Sequence, residues 1–147
     1  MTFNIRRIAT ADLPEWLRMR QALWSELSEQ DLLPEMEVIL TNPRYAVFIA
    51  ARNNGDAAGF VEVNLREYAE GCETSPVGYI EGWYVDEDVR RQGLGADLIS
   101  VAEQWAREKG CAEIASDTWL ENEASIHGHL KMGYYEVERL VHFVKNL

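Results

Sequence analysis

The chain has 147 residues, 47% hydrophobic and 27% charged, enough for a real core in a single domain over residues 1–147. A formal net charge of -11 argues against nucleic acid, which needs a basic face, and no run approaches the ~18 apolar residues of a membrane span. The opening MTFNIRRIATADLPEW lacks the apolar stretch of a signal peptide, so the cytoplasm is the expected compartment and Cys72 and Cys111 are expected as reduced thiols.

FNIRRI (3–8) alternates apolar and charged residues as a first strand does. Thr10 or Asp12 can cap a helix, and Leu13, Trp16, Leu17, Arg20, Leu23 and Trp24 follow at helical spacing. SELSEQDLLPEMEVIL predicts a second, shorter helix starting near Pro34, closed by Asn42-Pro43. YAVFIAARNNGDAAGFVEVNLREY reads as two strands joined at Asn54-Gly55, a strong hairpin signal. EGCETSPVG is a loop, and YIEGWYVDE is a strand in which Gly82 suggests a bulge or a close backbone approach. From Gly95 to Lys109 the pattern is helical, with Leu94, Leu98, Ile99, Ala102, Trp105 and Ala106 on one face and Gly110 as the stop. CAEIASDT is a short strand, Asn122 to Met132 a helix ended by Gly133, and YYEVERLVHFVKN alternates as a final strand. The order β-α-α-β-β-β-α-β-α-β is that of an α/β domain with a mixed sheet.

The stretch DVRRQGLGADLI (88–99) carries the chemistry. A strand leads into a loop with Arg90, Arg91, Gly93 and Gly95, and the loop opens a helix. The first turn of a helix has free N–H groups and a partial positive charge, and glycines let the backbone approach a ligand. The combination is a phosphate cradle. It is not the dinucleotide fingerprint, because Leu98 stands where a third glycine belongs, and not a P-loop, because no Lys-Ser or Lys-Thr follows. Three histidines and two cysteines without metal-ligand spacing predict no metal.

Arg90, Arg91, Gln92, Gly93, Leu94, Gly95 and Ala96 resemble the Arg/Gln-x-x-Gly-x-Gly/Ala loop of the GCN5-related N-acetyltransferase superfamily. The resemblance implies that this loop binds the pyrophosphate of acetyl-coenzyme A, a cosubstrate. It implies that Trp83, Tyr84 and Val85 meet the pantetheine arm through their main chain. It further implies a mostly antiparallel mixed sheet, splayed at a bulge near Gly82 and flanked by helices. Pantetheine amides can extend a sheet edge, and the N–H of Val85 would polarise the thioester carbonyl. LW at residues 23–24, EGCETSP, YIEGWYV, CAEIASDT with Glu121-Asn122, and YEVER are similar to the small, dimeric aminoglycoside 6'-N-acetyltransferases. That likeness implies a polycationic aminoglycoside acceptor, direct attack in a ternary complex, a resistance role and a homodimer.

Acetyl transfer needs an unprotonated amine, so a group near it must take a proton. Glu81 on the bulged strand and Asp117 at the end of the next one are carboxylates that can bind the amine and accept that proton; each also fits a cap or a salt bridge. The resemblance carries Glu81, Asp117 and Glu138 over as acceptor contacts, with Leu27 beside them and Trp24 and Tyr68 as aromatic walls. Glu67, Glu70 and Glu73 would give an acidic rim that steers a polycation. The departing thiolate also needs a proton. Where many superfamily members carry a tyrosine in the last helix, this chain has His129, which can donate at neutral pH and equally fits a hydrogen-bonded surface histidine. The resemblance makes Asn122 a coenzyme contact, and a helix cap is compatible with that. Polyamines, a protein N-terminus, or a noncatalytic hold on coenzyme A or drug remain the competing readings.

Overall fold

The computed structural model describes residues 3–147; Met1 and Thr2, the first residues of the opening MTFNIRRIATADLPEW, lie outside the described residues. The elements in chain order are β1 (Asn4–Arg7), a 3-10 turn (Thr10–Asp12), α1 (Leu13–Leu23), α2 (Glu29–Thr41), β2 (Tyr45–Ala51), β3 (Ala57–Arg66), β4 (Val77–Val85), a second 3-10 turn (Glu87–Val89), α3 (Leu94–Glu108), β5 (Ile114–Ser116) and α4 (Glu123–Lys131). The sheet runs β1-β2-β3-β4-β5. Its first three pairings are antiparallel and the last, β4 with β5, is parallel. The expected mixed, mostly antiparallel sheet with flanking helices is therefore the observed one.

Helices cover both faces. On one side α3 lays Leu94, Leu98, Ile99, Ala102, Trp105 and Ala106 onto Ala58, Val61, Val63 and Ile80. On the other, α1 and α2 bring Trp16, Met19, Leu32, Met36 and Ile39 against Val47, Ile49 and Phe60. β3 is covered on both faces, and its first seven residues are all buried, as the central position in the sheet requires.

Two expectations are corrected. The second helix begins at Glu29 rather than near Pro34 and is longer than α1, 13 residues against 11. Ser28 and Asp31 form a reciprocal capping box that starts it a turn and a half earlier, and Pro34 is carried inside it on an exposed position. The final strand is absent: residues 135–147 carry no regular secondary structure and are exposed throughout. Alternation in YYEVERLVHFVKN supplies one apolar face, but a strand also needs a neighbour to bond to, and among the described residues this arm pairs with no strand. Asp12, at the N-cap position of α1, makes no side-chain cap bond to it; its carboxylate takes the Ala9 N–H and a two-point bond from Arg6. Both cysteines are free thiols.

Candidate active site

The site is built on a discontinuity between β3 and β4. Glu62 faces Gly82 while Val63 faces Ile80, so Glu81 is the extra residue of a bulge. Gly82 itself answers a second demand. A Cβ there would meet Trp24 Cη2 at 2.9 Å and Phe60 Cε2 at 3.3 Å: the indole that ends α1 rests on the bulge.

On its other edge β4 is paired only at Gly78, Tyr79 and Ile80, because β5 stops at Ser116. From Glu81 to Val85, no strand among the described residues lies beside that edge. The Asp86 N–H donates to Ala58 O on β3 at 2.7 Å. In an extended strand a residue's N–H and C=O point to one edge and its neighbour's to the other, so the N–H and C=O of Val85 face the gap. Arg90 confirms the direction by donating from Nε to Val85 O at 2.8 Å. The gap is lined by main-chain donors and acceptors of the kind an amide-bearing arm can bond.

The loop of residues 90–93 lies at the end of this gap, just ahead of α3. Arg91 (φ 65°) and Gly93 (φ 86°) adopt left-handed conformations, which turn successive N–H groups toward one side and deliver the chain to the start of α3. Gly95 is small for a packing reason: a Cβ would lie 3.0 Å from Trp83 Cζ2, and Trp83 Nε1 donates to Gly95 O at 3.1 Å. Gly128 of α4 gives way to the same indole, its added Cβ meeting Trp83 Cη2 at 3.3 Å. Trp83 thus ties the start of α3 and the middle of α4 to the open strand. Arg90 is fixed by Val85 and by the Tyr84 ring, Leu94 is buried in the core, and Arg91, Gln92, Gly93 and Ala96 are exposed. The residues present fit a pyrophosphate: free first-turn N–H groups, a positive-φ loop and an exposed guanidinium.

Acidic groups stand on the α1 side of the bulge. Glu81 accepts from Arg66 at two points (Nε–Oε2 2.9 Å, Nη2–Oε1 2.8 Å) and from Asn64 Nδ2 at 3.1 Å. Hydrogen bonding to Glu81 raises Arg66 above the ordinary guanidinium value. The Arg66 guanidinium stacks 3.5 Å over the Tyr79 ring, and the Tyr79 hydroxyl donates to Asp117. Burial first, and Asp117 second, push the Tyr79 phenol well up, so it remains a donor. Beneath the bulge, fully buried Glu62 accepts from Trp16 Nε1 and from two nitrogens of buried Arg20, whose guanidinium lies 4.7 Å from the Trp24 ring centroid. Burial pushes Glu62 up against the pull of Arg20.

Asp117, Glu138, Ser116, His129 and Tyr134 line a cleft of about 440 Å³. Leu27 and Tyr68 are exposed, at 37% and 67%; the single chain does not bury them against the carboxylates. His129 Nδ1 lies 2.7 Å from Ser125 O. A carbonyl only accepts, so this nitrogen carries a proton. His129 Nε2, at 2.8 Å from Ser116 Oγ, is then free to accept from the serine. The ring is held edge-on between Trp83 and Tyr134. It is therefore a hydrogen-bonded histidine, and one that faces the end of β5. Asn122 Oδ1 accepts from the Ser125 N–H at 3.1 Å, so it does cap α4.

Arg66, Asn64, Tyr79 and Ser116 were not among the expected site residues. A signal for the first two is present in the sequence: Glu62, Asn64 and Arg66 alternate as a polar face inside an otherwise apolar central strand, which is where burial of polar groups needs a reason. Tyr79 and Ser116 become visible only once strand register is known. Among the described residues no three His, Cys, Asp or Glu side chains gather as a metal site would need, and no helix is long and apolar enough to cross a membrane.

Residues 13–134 match the family described as Acetyltransferase (GNAT) family. The chain is 42% identical over 146 residues to an aminoglycoside N(6')-acetyltransferase type 1 of Klebsiella aerogenes, covering 97% of this chain and 96% of the relative. It is 43% identical over 137 residues to the Serratia marcescens enzyme of the same name, covering 92% and 94%. Among solved structures it is similar to AAC(6')-Iy in complex with the bisubstrate analogue CoA-S-monomethyl-acetylneamine, at a TM-score of 0.92 and 34% identity with both chains fully covered. It is also similar to AAC(6')-Ih of Acinetobacter baumannii, at 0.90 and 35% with 99% of each chain covered.

Proposed function

The chain belongs to the acetyltransferase (GNAT) family, and on that premise we propose that residues 1–147 act as one domain that transfers the acetyl group of acetyl-coenzyme A to the 6'-amine of an aminoglycoside. The observation that carries this reading is the open edge of β4 from Glu81 to Val85. It runs from a carboxylate at the bulge to the positive-φ loop ahead of α3. A thioester arm laid along that edge places its carbonyl near the Val85 N–H and its diphosphate on the loop. Glu81 and Asp117 receive the amine's positive charge and, directly or through water, its proton. The amine nitrogen then attacks the thioester carbon, the Val85 N–H stabilises the oxygen that becomes negative, and the carbon–sulfur bond breaks. The leaving thiolate takes the Ser116 hydroxyl proton, an imidazolium His129 replaces it from Nε2, and the new amide nitrogen gives up its surplus proton to the carboxylates or to water. No acyl-enzyme is needed, so both substrates are bound together.

Acetylation removes one positive charge and one donor from a drug whose hold on RNA is electrostatic, which gives resistance, and the reaction belongs to the cytoplasm where acetyl-coenzyme A and ribosomes meet. The exposed arm 135–147 supports a homodimer in which the arms cross. Val137, Leu140, Val141, Phe143 and Val144 are all more than half exposed, and Glu138, early in the arm, lines the cleft with Asp117. A thiol-release assay with acetyl-coenzyme A against sisomicin, neamine, spermidine and an N-terminal peptide tests the acceptor. Turnover with the two aminoglycosides supports the reading; turnover with only the peptide or spermidine rejects it.

A further inference from the structure

We propose that Arg66 and Tyr79 are positioning residues that hold the Glu81 and Asp117 carboxylates as one two-point seat for the acceptor's ammonium groups. This rests on the reading above, in which those two carboxylates face the acceptor.

Glu81 is the unpaired residue of the bulge, so strand pairing does not fix its side chain. Arg66 does, through the two-point bond at 2.9 and 2.8 Å, with Asn64 as a third donor. Arg66 is in turn oriented by Tyr79, whose ring lies 3.5 Å beneath the guanidinium carbon. The same tyrosine's hydroxyl fixes Asp117. One aromatic ring therefore couples, by its face and by its edge, the carboxylate on β4 to the carboxylate beyond β5. The arrangement leaves acceptor capacity where a cation would use it. Glu81 Oε1 accepts one bond and Oε2 two, and among the described residues Asp117 Oδ1 accepts none, the Tyr79 hydroxyl going to Oδ2. Arg66 also offsets one of the two negative charges, so the seat works by placement of its oxygens more than by bulk charge. An acceptor with two ammonium groups on a rigid frame meets both carboxylates at once; a flexible polyamine gains less, because it must be ordered to do so.

The test is a pair of double-mutant cycles with sisomicin and acetyl-coenzyme A, each variant checked for an unchanged melting transition. Tyr79→Phe keeps the ring under Arg66 and removes the hydroxyl; it is expected to raise KM for sisomicin about ten-fold, with KM for acetyl-coenzyme A changed less than about two-fold. In an Asp117→Asn background the same change is expected to add less than about two-fold, because its effect passes through that carboxylate. Arg66→Gln should behave the same way against Glu81→Gln, with Arg66→Lys recovering part of the loss. Full additivity in both cycles would overturn the positioning role while leaving the acceptor reading intact. Asp117→Asn and Glu81→Gln that leave sisomicin kinetics untouched would overturn both. Tyr79→Phe, which removes one oxygen, decides the matter if Arg66→Gln fails to fold.

Discussion

Trp24 lies directly on Gly82: a Cβ added to the glycine would stand 2.9 Å from the indole Cη2 and 3.4 Å from the Glu62 carboxylate carbon. The contact joins the end of α1 to the bulge that frees Glu81, so the proposed wall of the acceptor site and its proposed carboxylate share one constraint. Gly82→Ala must either displace Trp24 or shift the bulge. The expected cost is about 1–3 kcal/mol of stability, with kcat/KM for the acceptor falling further than KM for acetyl-coenzyme A rises. Urea unfolding and steady-state kinetics on the same preparation check both; a variant with normal acceptor kinetics would show that Trp24 is not a wall.

Much of this arrangement is legible in the sequence, and the reasons are local. Helices and hairpin follow from periodicity and caps: Asn54-Gly55 marks the turn between β2 and β3, and α3 carries its apolar face where the spacing predicts. Gly82 inside an apolar strand points to the bulge, although register shows Glu81 to be the unpaired residue. What is not legible depends on pairing or on a partner. Proline at 34 suggests a helix start, and the stronger Ser28–Asp31 box overrides it. The alternating tail after Tyr134 has the pattern of a strand, and among the described residues it joins none. Arg66 and Tyr79 are ordinary residues until the register sets them across from the bulge.

Arg20 and Glu62 form an ion pair with side-chain exposures of 0% and 1%, under the floor of the site. Arg20→Ala would leave Glu62 buried with only the Trp16 N–H, a loss of about 3–5 kcal/mol. Replacing both with apolar residues of similar volume, Arg20→Met with Glu62→Leu, is expected to recover most of that stability. The double variant should still bind acceptor poorly, because Trp24 loses the guanidinium that lies against its ring. Chemical denaturation midpoints for the three proteins provide the comparison.

Leu140, Val141, Phe143 and Val144 present apolar side chains to solvent on a chain end without secondary structure. If the arms cross between two copies, Leu140→Asp with Phe143→Glu yields a monomer by analytical ultracentrifugation. It should also cut acceptor turnover at least about ten-fold, since Glu138 is carried on the same arm. A variant that stays dimeric would place the interface elsewhere.

His129 is fixed by Ser125 O and by Ser116 Oγ. In the proposed role of proton donor to the thiolate it matters for kcat, so His129→Gln is expected to lower kcat about a hundred-fold, with KM for acetyl-coenzyme A little changed. Ser116→Ala, which removes the group between the imidazole and the gap, should lower kcat about ten-fold and add little in the His129→Gln background. Pre-steady-state release of thiol separates this from an effect on product release.

Asp86 sits at the end of β4, where Arg18 and Arg52 both reach it, at 3.0 Å each. Burial works to raise its carboxyl, and hydrogen bonds from the two arginines overcome this and hold it below the ordinary 3.8. Asp12, bonded first by Arg6, and Glu15, bonded first by Arg18, are also held below their usual values. A carboxylate with a depressed folded-state value stabilises the fold above its unfolded value and loses that contribution as pH falls through the folded one. The urea midpoint should therefore stay level from neutral pH to about pH 5 and fall steeply below about pH 4. Asp86→Asn should lower the neutral midpoint by the equivalent of about 1–2 kcal/mol, a modest figure because solvent reaches Arg18 and takes over part of its pairing. It should also flatten the acid limb, since the asparagine has no proton to gain. An Asp86→Asn protein whose midpoint declined as steeply as the parent's between pH 5 and pH 3 would move the acid sensitivity to Asp12 and Glu15, and the Asp12→Asn protein would then show the flattened limb instead.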